Sequence, residues 1–588
     1  MKNFLFVYTP YCFPISPYIA LPLLSSILNE NGYSSLCFDL NAKYYNDILK
    51  KDYLLSKYNI LNDNLNLLKK NLYDFSDKKE KIFISKSLNF LFKFIENDNE
   101  IFEVINNVEN SVKVIKSSDF YDINKFEVAL DCIQKAEELN FYSYFLSGVL
   151  NTKIGYNFSS LDYFVKNKKL NPFYDYYLEQ IESGVFNDYE YIMLSQAYDV
   201  QNLGVWTLAY LLKNHTNVKV VLGGNYPSRL SETFKNNKKI FNEYFDYILT
   251  GLGQDSIIEF AKFAHNELSV NEVSGLIYLD NNTICCNEPK TYLSNPLKRN
   301  LISFEGIDFD DYLTPEIVVP FQVTNGCPWQ KCTFCVFHDG KTKFQIVPPK
   351  QIANEFKELN EKYGITKFEF ADESLSPKYY YEFAKEILNL KLDISYYGFA
   401  RFDDGFTSEI LETMFKSGFR MFEWGYETPT KRVMEIYNKG INIDSRHDIM
   451  KRANNASIWN YCLTIADLPF ETKDEILYDY DVYLNNIDLF NSRLISAFHL
   501  YKNAPIYNNA EHYNMINVRD NGDLSIQCTY ERGVEKNLLS DKDIQNKRNE
   551  LYSIYKDTFW YKLLKGYDEY LFLYVSRYGI DRCKTGKF

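Results

Sequence analysis

Three cysteines fall within nine positions of the stretch TNGCPWQKCTFCVFHDG, residues 324–340: Cys327, Cys332 and Cys335. Thiolates are soft ligands, and three on one short loop suit a metal ion or a cluster. A zinc ion would need a fourth protein ligand, and His338 stands at CVFH spacing to supply one. A [4Fe–4S] cubane would take the three sulfurs at three corners and leave its fourth iron open. The third possibility is that the thiols bind nothing. Among the 11 cysteines most others are scattered singly, and the adjacent Cys285–Cys286 cannot readily bridge each other. An odd count without a disulfide framework points to a reducing cytoplasm.

The elements around the cluster narrow the choice. The second half of the chain alternates apolar runs with helical patterns. The runs are 317–324, 367–372, 394–403, 420–427, 460–469 and 493–501; the helices are 350–363, 377–389, 407–417, 429–438 and 444–455. Six βα units at regular spacing predict a partial (β/α)6 TIM-like barrel, and Cys327 follows its first strand, where such barrels carry functional loops. A small zinc module would not need six succeeding βα units, which favours the open cluster. The first half shows strands at 3–9, 34–40, 189–196, 218–224 and 245–251, with helices over about 20–31 and 201–213. These predict a doubly wound, Rossmann-like sheet. Between them 41–185 carries apolar residues at three-to-four spacing and almost no glycine, and reads as a helical insertion. The expected organisation is therefore an α/β domain over 1–280, a linker over 281–315, the barrel over 316–502 and a mixed, α-rich tail over 503–588.

Composition excludes several classes. The 588 residues are 46% hydrophobic and 24% charged, which is ordinary for globular proteins. A net charge of −13 with no stripe of lysine or arginine argues against nucleic acid as partner. The apolar amino terminus is interrupted by Pro10, Pro14, Pro17 and Pro22, so it reads as strand, loop and helix rather than a signal peptide. No stretch reaches the ~20 apolar residues of a membrane span.

CPWQKCTFC, followed by FADESLS, FARFD, FEWGYET and LTIADLPFET at strand ends, resembles the radical S-adenosylmethionine superfamily, in the branch with an amino-terminal cobalamin-binding-type domain. Four residues separate the first two cysteines where three are usual. The resemblance implies that Cys327, Cys332 and Cys335 ligate a [4Fe–4S] cluster whose open iron S-adenosylmethionine chelates. It implies that Phe334 packs near adenine. Asp372 and Glu373 match a strand-end motif that receives the cofactor's amino group, a role a carboxylate suits; the alternative is a helix cap before Ser376–Pro377. Glu427 shares a strand face with Glu423 and Gly425 and matches a ribose contact. Arg401 and Arg432 are candidates for the cofactor carboxylate, or for internal ion pairs. Glu471 matches a Gly-Glu turn in which Phe470 replaces the glycine.

In the first domain VLGGNYPS and ILTGLGQDS place Gly223, Gly224, Gly251 and Gly253 where backbone would approach a flat corrin, or where an α/β turn closes. No Asp-x-His-x-x-Gly motif offers a lower cobalt ligand, and Leu252 and Gln254 stand where relatives place acids. The implied activity is generation of a 5′-deoxyadenosyl radical and methylation of an unactivated carbon of a small molecule or peptide. The electron donor would be a low-potential protein such as flavodoxin or ferredoxin. Radical rearrangement, cyclisation or crosslinking without methyl transfer is the alternative, and a non-catalytic corrinoid or iron–sulfur sensor is another. No residue is assigned as a catalytic acid or base.

Overall fold

The computed structural model describes residues 3–70, 98–144, 156–291, 302–336, 343–466, 468–533, 538–564 and 567–588. Among the described residues no helix is long and apolar enough to cross a membrane. The chain divides into two compact units. One comprises Met1–Lys290 with Ile302–Pro315 and Gly522–Ser525; the other comprises Thr291–Leu301, Glu316–Asn521 and Ile526–Phe588.

In the first unit, five apolar runs form parallel strands β1 (Phe4–Tyr8), β2 (Ser35–Asp39), β3 (Tyr191–Ser195), β4 (Lys219–Gly223) and β5 (Tyr247–Leu249). Their order is β2-β1-β3-β4-β5. Every residue of β1 is buried, as a strand covered by helices on both faces requires. The order reverses between β1 and β3, which makes a doubly wound sheet with its switch point there. An antiparallel pair, β6 (Leu276–Asp280) and β7 (Thr283–Cys286), extends the sheet past β5. The segment read as a linker from 281 thus supplies an edge strand. Its turn is Asn281–Asn282, with φ of 44° and 62°, the left-handed pair a two-residue type I′ hairpin needs. The insertion is helical: Lys51–Lys70, Asp98–Ile115, Ile123–Tyr142, Phe158–Lys166 and Tyr174–Glu182 are its longer helices. Its parts at 71–97 and 145–155 lie outside the described residues.

The second unit holds six parallel strands, β8 (Val318–Phe321), β11 (Lys367–Phe370), β12 (Ser395–Ala400), β13 (Phe419–Glu427), β14 (Trp459–Ala466) and β15 (Ser492–Ala497). Each neighbours the next in sequence, which is the partial (β/α)6 barrel expected. The short hairpin β9 (Thr324–Asn325) and β10 (Gln345–Ile346) brackets the cysteine loop. Local sequence sets the crossover helices. Helix Pro349–Tyr363 starts on proline and stops at Gly364, φ +70°. Ser376 caps helix Pro377–Leu390 by accepting from the Tyr379 amide at 3.2 Å. Helix Lys473–Asn485, which the sequence reading did not single out, starts on a Thr472–Glu475 capping box.

Alternation fixes what faces each way. Phe368 and Phe370 pack outward on Phe356, with ring centroids 3.9 and 5.7 Å apart, and Tyr396 packs on Phe383 at 5.2 Å. Glu369, Tyr397, Glu423 and Tyr461 therefore face the barrel interior. The tail adds an antiparallel sheet of β16 (Leu500–Tyr501), β17 (Met515–Asp520) and β18 (Gln527–Arg532), and a last helix Asp568–Thr585. That helix sets Phe572 against Tyr397 at 4.6 Å.

Arg446, 2% exposed, closes the end of β13. Its guanidinium donates to the Tyr426 and Thr428 carbonyls, both at 2.9 Å, and lies 4.1 Å from the Tyr426 ring centroid. Arg446→Ala leaves two buried carbonyls without donors and should lower the unfolding free energy by about 3 kcal/mol in urea denaturation. A loss under about 0.5 kcal/mol would contradict this packing.

Candidate functional site

The cysteine loop leaves the barrel at a fixed point. Asp372, at the end of β11 and 1% exposed, accepts from the Val323 amide at 3.0 and 3.1 Å. It also accepts from the Thr324 amide at 2.6 Å and the Thr324 hydroxyl at 2.5 Å. These bonds favour an ionised carboxylate and hold the backbone just before Gly326. Asp372 thus ties β11 to the loop, and Ser376, not Asp372, caps the next helix. Glu373 beside it is exposed.

The far side of the loop is strapped to the end of helix Lys431–Tyr437. Asn438 takes a left-handed φ of 50° there. Trp329 Nε1 donates to the Asn438 carbonyl at 2.6 Å, and Asn438 Nδ2 donates to the Lys331 carbonyl at 3.1 Å. The Thr333 amide donates to Tyr437 at 3.0 Å, and its hydroxyl to the Ile436 carbonyl at 2.9 Å. Trp329 lies against the backbone of Gly440, where a Cβ would stand 2.0 Å from the indole, so only glycine fits. Phe334 sits with its ring centroid 4.3 Å from that of Tyr437, in a cluster with Val433, Met434 and Leu468.

Cys327, Cys332 and Cys335 are all half-buried on this loop and form no disulfide. Burial pushes the Cys332 thiol above its ordinary range, while Lys439 and Arg401 pull the other way. As the side chains stand, no three Cys, His, Asp or Glu among the described residues converge tightly enough to hold a metal ion. Neutral thiols have no reason to converge; a bound metal deprotonates its ligands and draws them in. His338 lies outside the described residues. The donor set still suits a cluster, being three thiols on one clamped loop with cations beside it.

Arg401 is one of the two cations beside Cys332. Its guanidinium covers the Trp329 ring at 4.6 Å and donates to the Lys439 and Gly440 carbonyls. Among the described residues its buried Nε has no hydrogen-bond partner. Glu427 ends β13 with a left-handed φ of 60° and forms a buried ion pair with Lys439. Gly425 makes the room: a Cβ there would stand 2.1 Å from Lys439 Nζ. Arg432 instead binds Glu475 through both carboxylate oxygens, at 2.7 and 2.6 Å, and the Phe470 carbonyl at 2.7 Å. That arginine is an internal tie. Glu471 is buried with its Oε1 partnerless among the described residues, and burial holds its carboxyl well above the usual range. Sequence reasoning missed Lys439, Trp329 and Asn438. The NKG tripeptide at 438–440 marks a helix end, but nothing in it distinguishes a buried lysine from a surface one.

In the first unit the carboxyl ends of β1 and β3 flank the switch point. Thr9, fully buried after β1, has a hydroxyl without a partner among the described residues. Gln201 Nε2 donates to the Thr9 carbonyl at 2.8 Å, and Gln196 Nε2 to Asn202 at 2.6 Å. Gly224, φ +116°, is required by close approach: a Cβ would stand 2.2 Å from the Gln196 carbonyl oxygen. At Gly251 a Cβ would meet Pro289 at 2.7 Å, and at Gly253 Leu24 at 3.3 Å. At Gly223 a Cβ would meet only the Leu249 carbonyl at 3.8 Å, so its own packing does not demand glycine.

Residues 321–482 match the family described as the Radical SAM superfamily. A curated protein of Pyrococcus horikoshii, described as an uncharacterized methyltransferase, is 25% identical over 279 residues, 46% of this chain. The match spans 59% of that relative, under two thirds of its length. Among solved structures, the radical S-adenosylmethionine methyltransferase TsrM from Kitasatospora setae, with cobalamin and a [4Fe–4S] cluster bound, superposes with a TM-score of 0.53 at 12% identity. That superposition covers 95% of this chain and 89% of TsrM. The cobalamin-dependent radical enzyme OxsB gives 0.48 at 14% identity over 60% of this chain and 58% of its own. Residues 321–482, which carry β11 to β14 of the barrel, thus match the Radical SAM superfamily, and the chain shares the α/β fold of TsrM.

Breaking a buried ion pair strands a charge. Lys439→Met should cost about 3–5 kcal/mol of stability, and Lys439→Met with Glu427→Gln should recover most of it. Denaturation of the two single variants and the double variant measures the coupling; additive losses would show that the pair is not coupled.

Proposed function

We propose that this radical S-adenosylmethionine chain is a cobalamin-dependent methyltransferase acting on an unactivated carbon of a small molecule or peptide. The observation that carries the reading is the clamped loop, which holds three half-buried thiols beside a guanidinium with an unused buried Nε–H. In this reading Cys327, Cys332 and Cys335 hold a [4Fe–4S] cluster, with S-adenosylmethionine at its open iron. The cluster supplies the electron for cleaving S-adenosylmethionine and cobalamin carries the methyl group.

The chain's own residues bind, orient and exclude water. Arg401 offers its Nε–H to the cofactor carboxylate. Asp372 is engaged by the backbone, so of the ADES carboxylates Glu373 is the one offered to the cofactor amine. Glu427 presents a carboxylate already fixed by Lys439 to the ribose hydroxyls. Phe334, backed by Tyr437, offers an apolar edge to adenine. Arg432 is assigned to its tie with Glu475 and not to the cofactor.

The corrin is assigned to the switch-point crevice of the first unit, where Thr9 and Gly223 leave a donor and room. Neither histidine of the first unit stands at this crevice: His215 and His265 both lie at the ends of crossover helices, on the opposite edge of the sheet. A flavodoxin- or ferredoxin-type donor and a cytoplasmic location complete the proposal.

The test is anaerobic incubation with S-adenosylmethionine and dithionite, after growth with hydroxocobalamin. Both 5′-deoxyadenosine and S-adenosylhomocysteine should form. The Cys327→Ala, Cys332→Ala, Cys335→Ala triple variant should form neither and lack the brown charge-transfer absorption. Unchanged iron in that variant would overturn the cluster assignment; deoxyadenosine alone from the wild type would overturn methyl transfer.

A further inference from the structure

The interior of the barrel carries a layer of acids that the reading above does not use. Glu369 from β11 and Glu423 from β13 face inward, and Asp568 and Glu569 enter from the start of the last helix. Tyr397 donates its hydroxyl to Glu369, and Tyr461 donates its own to Asp568. Glu423 is 2% exposed, and among the described residues its buried Oε1 has no hydrogen-bond partner. Glu369 and Asp568 stay partly exposed, whereas Phe368 and Phe370 on either side of Glu369 are fully buried, so solvent reaches this layer from inside the barrel.

A buried carboxylate without a donor is costly, and several together repel. Among the described residues no lysine, arginine or histidine forms an ion pair with Glu369, Glu423 or Asp568. Burial pushes Asp568 up to about 6, and burial with repulsion from the neighbouring acids pushes Glu369 up to about 8 and holds Glu423 well above the usual carboxylate range. At neutral pH the layer therefore keeps protons that an arriving cation would displace. The spacing selects the cation. As they stand, no three of these described acids converge on a metal ion, which needs oxygens within about 2.0–2.6 Å of one centre, and on β11, β13 and a helix they are less free to be drawn together than thiols on one loop. An ammonium or guanidinium group, with hydrogen-bond donors spread over a larger volume, matches a wider ring of oxygens.

We propose that Glu369, Glu423 and Asp568 form a binding site for an organic cation, an amino or guanidino group of the substrate. This rests on the methyltransferase reading only in calling the ligand a substrate. Glu423 lies four residues before Glu427 on β13, a drop of about 13 Å along the strand. The substrate is therefore elongated, its basic group on the order of 10 Å from the carbon to be modified.

Titration calorimetry of the full-length, cluster-reconstituted protein with agmatine, without S-adenosylmethionine, tests this site apart from any radical chemistry. Agmatine should bind saturably, one per chain, with a heat that varies with buffer ionisation enthalpy because protons are released. Binding should weaken about tenfold or more in Glu423→Gln and in Glu369→Gln, and the neutral 1,5-pentanediol should not bind. Two near-isosteric variants guard against a folding defect in either. Absence of agmatine binding, equal binding of agmatine to both folded variants, equal binding of pentanediol, or stoichiometric displacement of agmatine by Ca²⁺ would each overturn the proposal. Loss of S-adenosylmethionine cleavage with agmatine binding intact would instead count against the cluster assignment alone.

Discussion

The carboxylate of Asp372, closed over the amides of Val323 and Thr324, decides where the cysteine loop leaves the barrel. Phe334 packs the loop onto an apolar cluster, but its thiols are only half-buried, and directed bonds at both ends fix its position. The strand-end aspartate fixes one end. The carboxyl end of helix Lys431–Tyr437, through Asn438 and its two bonds to the loop, fixes the other. Charge-assisted and buried, the first anchor is the stronger. Each thiol then hangs from backbone that cannot drift, which is what binding three corners of one inorganic core requires.

The turn after β13 is organised around charge. Gly425 clears space for Lys439, Glu427 accepts its charge, Arg446 fills the carbonyls of Tyr426 and Thr428, and Asp479 takes the hydroxyls of Thr428 and Thr430, each at 2.6 Å. A left-handed glutamate costs backbone energy and persists where surrounding contacts fix it. The same contacts hold the Lys439 and Gly440 carbonyls that receive Arg401. Loop, strand end and arginine are thus one bonded network rather than neighbours by chance.

Much of this was legible in the sequence because local chemistry decided it. Proline and glycine bounded helix Pro349–Tyr363, Ser376–Pro377 started the next, and continuous apolar runs marked strands buried on both faces. The β6–β7 hairpin escaped because its strands are short and its turn is Asn-Asn rather than Asn-Gly, although both carry left-handed φ. Helix Lys473–Asn485 escaped despite its capping box, because its apolar residues form no clean stripe. Partner choice was not legible at all. Arg401 and Arg432 look alike as letters, yet one keeps a buried unused donor and the other is spent on Glu475. Asp372 read as a ligand or a cap and turned inward to the backbone. Such assignments depend on residues tens of positions away, which no local pattern encodes.

Three protein sulfurs leaving one iron open is the claim on which the chemistry stands. Electron paramagnetic resonance of the dithionite-reduced protein, before and after adding S-adenosylmethionine, tests it most directly. A cluster with an open iron should give a spectrum whose g-values move when the cofactor's amino and carboxylate groups bind there. An iron signal unchanged by saturating S-adenosylmethionine, or no iron–sulfur signal at all, would contradict it.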